Sequence, residues 1–103
     1  MPAAVYSLGI DAVAGAQLVP ITQGLGRMLG VRYGVLVTNA PVGSPAYQSG
    51  LRDGDVITRA AGKRVQSVGD LREQVADAAD NGEHAVVLEL VRSKRTRKGT
   101  LRW

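Results

Sequence analysis

The sequence contains no cysteine, no phenylalanine and one histidine, His84. Without cysteine, the chain has neither a disulfide framework nor a thiolate nucleophile, and either a reducing or an oxidising compartment is compatible with it. One histidine and no cysteine also exclude the usual zinc-binding sets, so no metal or other cofactor is expected. Because a catalytic triad needs a base beside a nucleophile and His84 lies in a predicted turn, we expect the chain not to be an enzyme by itself.

Aromatic residues and long apolar runs are also scarce. Aromatic residues make up 4% of the chain and hydrophobic residues 45%, which predicts a packed core built from Val, Leu, Ile and Ala. No apolar stretch reaches membrane-spanning length, and the N-terminus lacks the basic-then-apolar order of a signal peptide. If the parent protein is exported, its signal is expected to lie outside this sequence.

The 103 residues are enough for one domain with a single core. Thirteen glycines predict many turns between short strands. We expect an unstructured start at residues 1–4 and one domain over residues 5–103.

The most informative segment is 43–57, which predicts a turn, a short helix, a second turn and a strand. Ser44 can cap a helix whose first turn accepts Pro45, because the N–H that proline lacks would be unpaired there. Gly50 suits a left-handed stop, and Leu51 just beyond it can fold back onto the helix.

Two aspartates follow in the same segment. Asp53 and Gly54 predict a tight turn, after which residues 55–58 predict a strand. Asp53 and Asp55 are close enough in sequence to suggest an acid/base pair. An aspartate beside a turn glycine, however, usually accepts hydrogen bonds from nearby backbone amides, which is the interpretation we favour.

The remaining elements follow from hydrophobic periodicity and turn residues. Strands are predicted at 5–13, 35–38, 55–58, 64–66, 85–91 and 99–103. Helices are predicted at about 21–29 and 68–79, in addition to the short one after Ser44. Five or six short strands with two or three helices predict an α+β, β-rich fold, a small, partly open β-barrel or sandwich capped by helices. An open edge of such a barrel is a place where another strand can add.

Basic residues are concentrated near the C-terminus. Six of the thirteen lysines and arginines fall within residues 92–102, and the formal net charge is +4. A solvated turn at 92–98 between two strands is the favoured interpretation. The alternative is a surface that contacts nucleic acid or another anionic partner, although no aromatic residue interleaves the run to stack on bases. Nucleic acid is therefore not the expected partner.

The residue order GVLV, GSPA, GL and GDVI within residues 34–57 resembles the PDZ domains of bacterial HtrA/DegP-type serine proteases. The resemblance extends over about residues 6–103 and implies a PDZ-like fold that binds apolar C-terminal or extended peptide segments. It also implies a protease domain elsewhere in the parent chain, whose substrates this domain would recruit or whose activity it would regulate. The location would then be periplasmic, extracytoplasmic or membrane-associated. Alternative parents are a membrane metalloprotease, a processing peptidase or a secretion component.

The same resemblance implies site residues. The segment Tyr6, Ser7, Leu8, Gly9 and Ile10 matches the loop whose backbone N–H groups hold a peptide's terminal carboxylate in that family. The peptide would add as a strand along Asp11, Ala12 and Val13. The helix residues Leu71, Val75 and Ala78 match positions that close the groove. Leu8, Ile10, Leu71 and Val75 can equally belong to the core, because alternation does not distinguish a pocket from a core face.

Overall fold

The structure, a computed structural model, describes residues 12–103. Within this range one sheet of seven antiparallel strands is accompanied by three helices. The strands are β1 (Ala12–Val13), β2 (Ala16–Pro20), β3 (Val35–Asn39), β4 (Val56–Ala60), β5 (Lys63–Arg64), β6 (Ala85–Arg92) and β7 (Arg95–Arg102). The helices are α1 (Gln23–Leu29), α2 (Pro45–Gln48) and α3 (Val68–Asp80). The predicted β-rich α+β class with an open sheet is confirmed, with one strand more than expected.

The sheet has two open ends. Its strand order is β1-β2-β3-β4-β6-β7, with β5 paired to β4 at the side of this path. β1 and β7 therefore each have one edge that no described strand covers. Helix α3 packs against β1, β2 and β6, whereas α2 packs against β7.

The core consists of small aliphatic side chains, as the lack of phenylalanine requires. Its largest fully buried members are Leu18, Ile57, Leu71, Leu88 and Leu101. Strand residues of one face supply most of this core, and the apolar face of α3 covers it.

The segment after Gly43 folds as predicted. The Ser44 hydroxyl accepts a hydrogen bond from the Tyr47 amide at 3.1 Å, which caps α2. Gly50 has a φ of +98°, and the Leu51 amide then donates to the Ala46 carbonyl at 3.0 Å. This return brings Leu51 into the core.

Both aspartates of the segment accept hydrogen bonds from backbone amides; the amide is local for Asp55, as predicted, but lies 13 residues away for Asp53. Asp53 Oδ1 accepts from the Ala40 amide at 2.8 Å, and Asp55 Oδ2 from the Arg52 amide at 2.9 Å. Asp55 is buried and also binds Arg92, with Nε–Oδ1 and Nη2–Oδ2 distances of 2.7 Å. The hydrogen bond to Asp55 raises the pKa of the Arg92 guanidinium, so this arginine remains charged.

The prediction missed β2. Residues 16–20 form a strand because Ala14 and Gly15, with φ values of 53° and 84°, reverse the chain in a two-residue turn. Pro20 stands at the last position of β2, beyond the residues that pair with β1, so one side of the strand is an edge there. Helix α1 follows, two residues shorter at its start than predicted.

The prediction of a solvated turn over the basic residues 92–98 is wrong. The turn consists only of Ser93 and Lys94, with φ values of 51° and 65°, and the next residues already pair with β6. Hairpin pairing with the regular strand β6 extends β7 through residues whose own composition favours solvent.

Candidate functional site

The outer edge of β1 exposes backbone hydrogen-bonding groups. In the β1–β2 hairpin, Val13 pairs with Ala16 across the two-residue turn and Ala12 pairs with Gln17. The pair next to such a turn exchanges hydrogen bonds, so the N–H and C=O of Ala12 point away from β2. An extended segment lying beside β1 would meet these groups.

Helix α3 is positioned by a reciprocal cap. The Ser67 hydroxyl accepts from the Asp70 amide at 3.1 Å, and the Asp70 carboxylate accepts from the Gln66 amide at 2.9 Å. This arrangement satisfies two amides at the start of the helix and fixes where it begins. The start in turn sets which side chains of α3 face β1.

Arg72 identifies the side of α3 that faces the β1 edge. Its Nη2 donates to the Ala12 carbonyl at 3.2 Å. Val68 and Val75 lie four residues before and three after Arg72, on the same side of the helix. Both valines are half-buried and pack against the core cluster. We call Ala12, Val68, Arg72 and Val75 the β1–α3 site.

The structure divides the predicted groove residues between this site and the core. Ala12 and Val75 belong to the site. Val13, Leu71 and Ala78 are buried and belong to the core, with Leu71 only 1% exposed. The sequence did not show whether Leu71 faces the groove or the core. It lies in the core, because α3 has to cover the sheet. The predicted loop residues Tyr6, Ser7, Leu8, Gly9 and Ile10, and the groove residue Asp11, lie outside the described residues.

Sequence reasoning missed Val68 and Arg72. The signal was present in the spacing, because residues 68, 72 and 75 follow the i, i+4, i+7 pattern of one helix side. The pattern does not predict a role for Arg72, because a charged residue on a helix usually lies on the solvent side. Only its contact with Ala12 shows that it faces the sheet edge.

The described part of the chain shows no catalytic or metal-binding arrangement of side chains. His84 is exposed in the turn between α3 and β6, where its carbonyl accepts from the Trp103 amide. No group of three or more potential metal-ligating side chains occurs within residues 12–103. None of the helices there has the length and apolar character needed to cross a membrane.

Comparison with known sequences supports the resemblance to HtrA/DegP-type PDZ domains. The probable periplasmic DegP-like serine endoprotease of Chlamydia trachomatis serovar D is 42% identical over 64 residues, which are 62% of this chain and 12% of that protein. The corresponding protein of Brucella suis biovar 1 is 36% identical over 75 residues, or 71% of this chain and 14% of that protein. The chain therefore matches only about an eighth of the length of these curated relatives.

Solved structures share the fold. The HtrA3 PDZ domain bound to the phage-derived ligand FGRWV has a TM-score of 0.73 at 24% identity, covering 87% of this chain and 82% of that one. The HtrA-type protease AlgW, solved with a decapeptide, has a TM-score of 0.66 at 18% identity, covering 87% of this chain and 28% of that one. The sequence profile described as the PDZ domain matches residues 8–101. The chain belongs to the PDZ domain family.

Proposed function

We propose that this PDZ domain binds extended peptide segments, which add as a strand to the outer edge of β1. The proposal is based on the orientation of the Ala12 N–H and C=O groups, which point away from β2 and toward α3. Backbone hydrogen bonds would supply affinity in such a complex, and side-chain pockets beside α3 would supply specificity. The peptide ligands of the HtrA3 and AlgW structures are consistent with this mode of binding.

A free, apolar C-terminus is the proposed ligand. Val68 and Val75 give the helix side of the site an apolar character. The loop of Tyr6, Ser7, Leu8, Gly9 and Ile10 would hold the terminal carboxylate through the amides of Leu8, Gly9 and Ile10, as the family resemblance implies. The missing side chain of Gly9 would let those amides converge.

In the parent protein, the domain would recruit substrates to a serine protease domain or regulate that domain. The DegP-like relatives, which are described as probable periplasmic serine endoproteases, support this role and an extracytoplasmic location. A coding sequence that places a His, Asp and Ser protease module before this domain would establish the architecture. A metalloprotease or secretion module there would contradict it.

The test is a titration of the domain with the peptide FGRWV as the free acid and as the C-terminal amide. We expect a dissociation constant on the order of micromolar for the acid, because a short added strand buries little area and must be ordered. A hydrogen bond to a charged group contributes roughly 1.5–3 kcal/mol, so the amide should bind about 10- to 100-fold more weakly.

Gly9→Val provides the matched variant, with a circular dichroism spectrum as the check on folding. We expect a folded domain that no longer distinguishes the acid from the amide. Equal binding of acid and amide by the unchanged domain would remove the carboxylate loop from the proposal while leaving internal strand addition. No binding of either form would contradict the proposal as a whole.

A further inference from the structure

The opposite edge of the sheet, on β7, also presents unpaired backbone groups. β6 and β7 are joined by the two-residue turn Ser93-Lys94, across which Arg92 pairs with Arg95. Hydrogen-bonded and non-hydrogen-bonded pairs then alternate, so Thr96, Lys98, Thr100 and Arg102 direct their N–H and C=O groups outward.

A hydrogen bond at one end of β7 supports this register. The outward amide of Arg102 donates to the Ser49 hydroxyl at 2.9 Å, and that hydroxyl donates to the Arg102 carbonyl at 3.4 Å. Ser49 thus covers the Arg102 end of the edge. The backbone groups of Thr96, Lys98 and Thr100 have no partner among the described residues.

A pocket opens beside this edge. Its volume is about 390 Å³, and its apolar floor is formed by Leu51, Leu88, Leu90 and Leu101. Gly99 leaves the entrance open, because a Cβ atom placed there would meet no atom within 4 Å. A side chain from a strand lying against β7, opposite Gly99, could therefore enter the pocket.

The charges around the pocket determine what would occupy it. Arg92 lies at the rim, but its charge is balanced by Asp55. Arg97, also at the rim, and its neighbours Arg95 and Lys98 are exposed and form no salt bridge with any described residue. An occupant with carboxylates opposite Arg95 and Arg97, whose side chains share one face of β7, would complement the charge.

We propose that the outer edge of β7 is a second strand-addition site, which takes an acidic, extended segment of a partner protein. An apolar side chain of that segment lies opposite Gly99 and fills the pocket. In an antiparallel strand the side chains two and four residues later lie opposite Arg97 and Arg95, where carboxylates are favoured. The recognised pattern is therefore an apolar residue followed by acidic residues at the second and fourth positions after it.

A second copy of this chain is a poor occupant of the same edge. Pairing two β7 edges would bring Arg95, Arg97 and Lys98 of both copies together, and like charges facing each other destabilise a strand pair. Basic residues on an edge strand protect it against self-association in this way. The same charges attract an acidic strand, and the pocket under Gly99 gives that strand an anchor.

The binding test uses a labelled peptide, SLTETES, acetylated and amidated so that it has no terminal charge. The matched control is SLTQTQS with the same end groups. We expect SLTETES to bind more tightly than SLTQTQS, by about 2- to 5-fold for each ion pair at an exposed site. Saturating FGRWV should not displace SLTETES, because the two peptides would occupy opposite edges of the sheet.

Three variants test the position of the site. Arg97→Gln should reduce the preference for SLTETES over SLTQTQS by the share of one ion pair, about 2- to 5-fold, whereas Arg27→Gln, the same charge change on α1, should leave it intact. Gly99→Leu should fill the pocket and weaken binding about 10-fold, as expected for the loss of one buried aliphatic side chain. Thr100→Pro removes one outward N–H without breaking the pairing with β6, and should also weaken binding.

Amide hydrogen exchange identifies the mode of binding. We expect the amides of Thr96, Lys98 and Thr100 to exchange more slowly in the complex, since a paired strand protects them. Binding that leaves these exchange rates unchanged would overturn the proposal. Equal binding by the unchanged domain and all three folded variants would do the same. Steeply salt-dependent binding of a DNA duplex that is lost in Arg97→Gln, with no binding of SLTETES, would assign the edge to nucleic acid and also overturn it.

Discussion

Arg72 is the residue whose role most needs a measurement. Its guanidinium donates to the Ala12 carbonyl, an acceptor that an added strand would use. Peptide binding at β1 therefore has to replace this hydrogen bond. A hydrogen bond to a charged group contributes roughly 1.5–3 kcal/mol, and solvent weakens this one because the pair is only part-buried.

We expect Arg72→Ala to strengthen the binding of an apolar peptide that carries no charged side chain. The gain should be about 2- to 10-fold, since the acceptor no longer has to be released from another donor. Isothermal titration of both proteins measures it, with Arg27→Ala as a control of equal charge change away from β1. Weaker binding to Arg72→Ala would mean that the guanidinium contacts the peptide instead of competing with it.

At the scale of the elements, α1 contains two glycines that tolerate substitution differently. A Cβ atom at Gly24 would meet nothing within 4 Å. A Cβ atom at Gly26 would lie 2.6 Å from the Val31 carbonyl oxygen, in a stretch held by the hydrogen bond from the Val31 amide to the Gly26 carbonyl. The short helix therefore depends on one of these glycines and not on the other.

Gly24→Ala is expected to stabilise the domain by up to about 1 kcal/mol, through the higher helix propensity of alanine. Gly26→Ala should instead destabilise it by roughly 1–3 kcal/mol, because the backbone around Val31 has to move. Urea denaturation of the two variants provides the comparison. Equal stabilities would show that residues 26–31 can rearrange at little cost.

Helix α3 illustrates how an element serves two purposes. Leu71 and Ala78 face the core, whereas Val68, Arg72 and Val75 face the edge of β1. Hydrophobic periodicity predicts the helix and its apolar residues. It does not show which of two adjacent sides of the helix covers the sheet, since that depends on where β1 and β2 lie.

On the scale of the whole molecule, one sheet offers two edges of different character. The β1 edge faces the half-buried valines of α3, and the β7 edge is flanked by exposed arginine and lysine side chains. On both edges, backbone groups of the described residues have no strand partner. The domain belongs to a family represented in serine endoproteases, but it matches only a small part of their length.

We expect the isolated domain to hydrolyse neither casein nor the peptides used above. The reason is the single histidine, His84, and the lack of cysteine. Incubation with fluorescent casein, before and after repurification, measures any turnover. Activity that persists through repurification and disappears in His84→Ala would contradict this expectation.

The residue order alone predicts the local features of this domain. Ser44, Gly50 and Ser67 mark the ends of helices, and Asp55 marks a turn, because each acts on backbone groups within a few residues. The order of these signals in residues 34–57 was enough to identify the family.

Features that join distant segments are visible only in the folded domain. Asp55 and Arg92 are 37 residues apart and form an ion pair, buried on the Asp55 side, that no local pattern predicts. β2 becomes a strand because β3, which follows α1 in the chain, pairs with it. Arg72 reaches Ala12 across 60 positions, and the pocket beside Gly99 forms between residues 49–51, which follow α2, and the β6–β7 hairpin. Such contacts depend on the packing of the whole sheet, which a linear pattern of residue types does not contain.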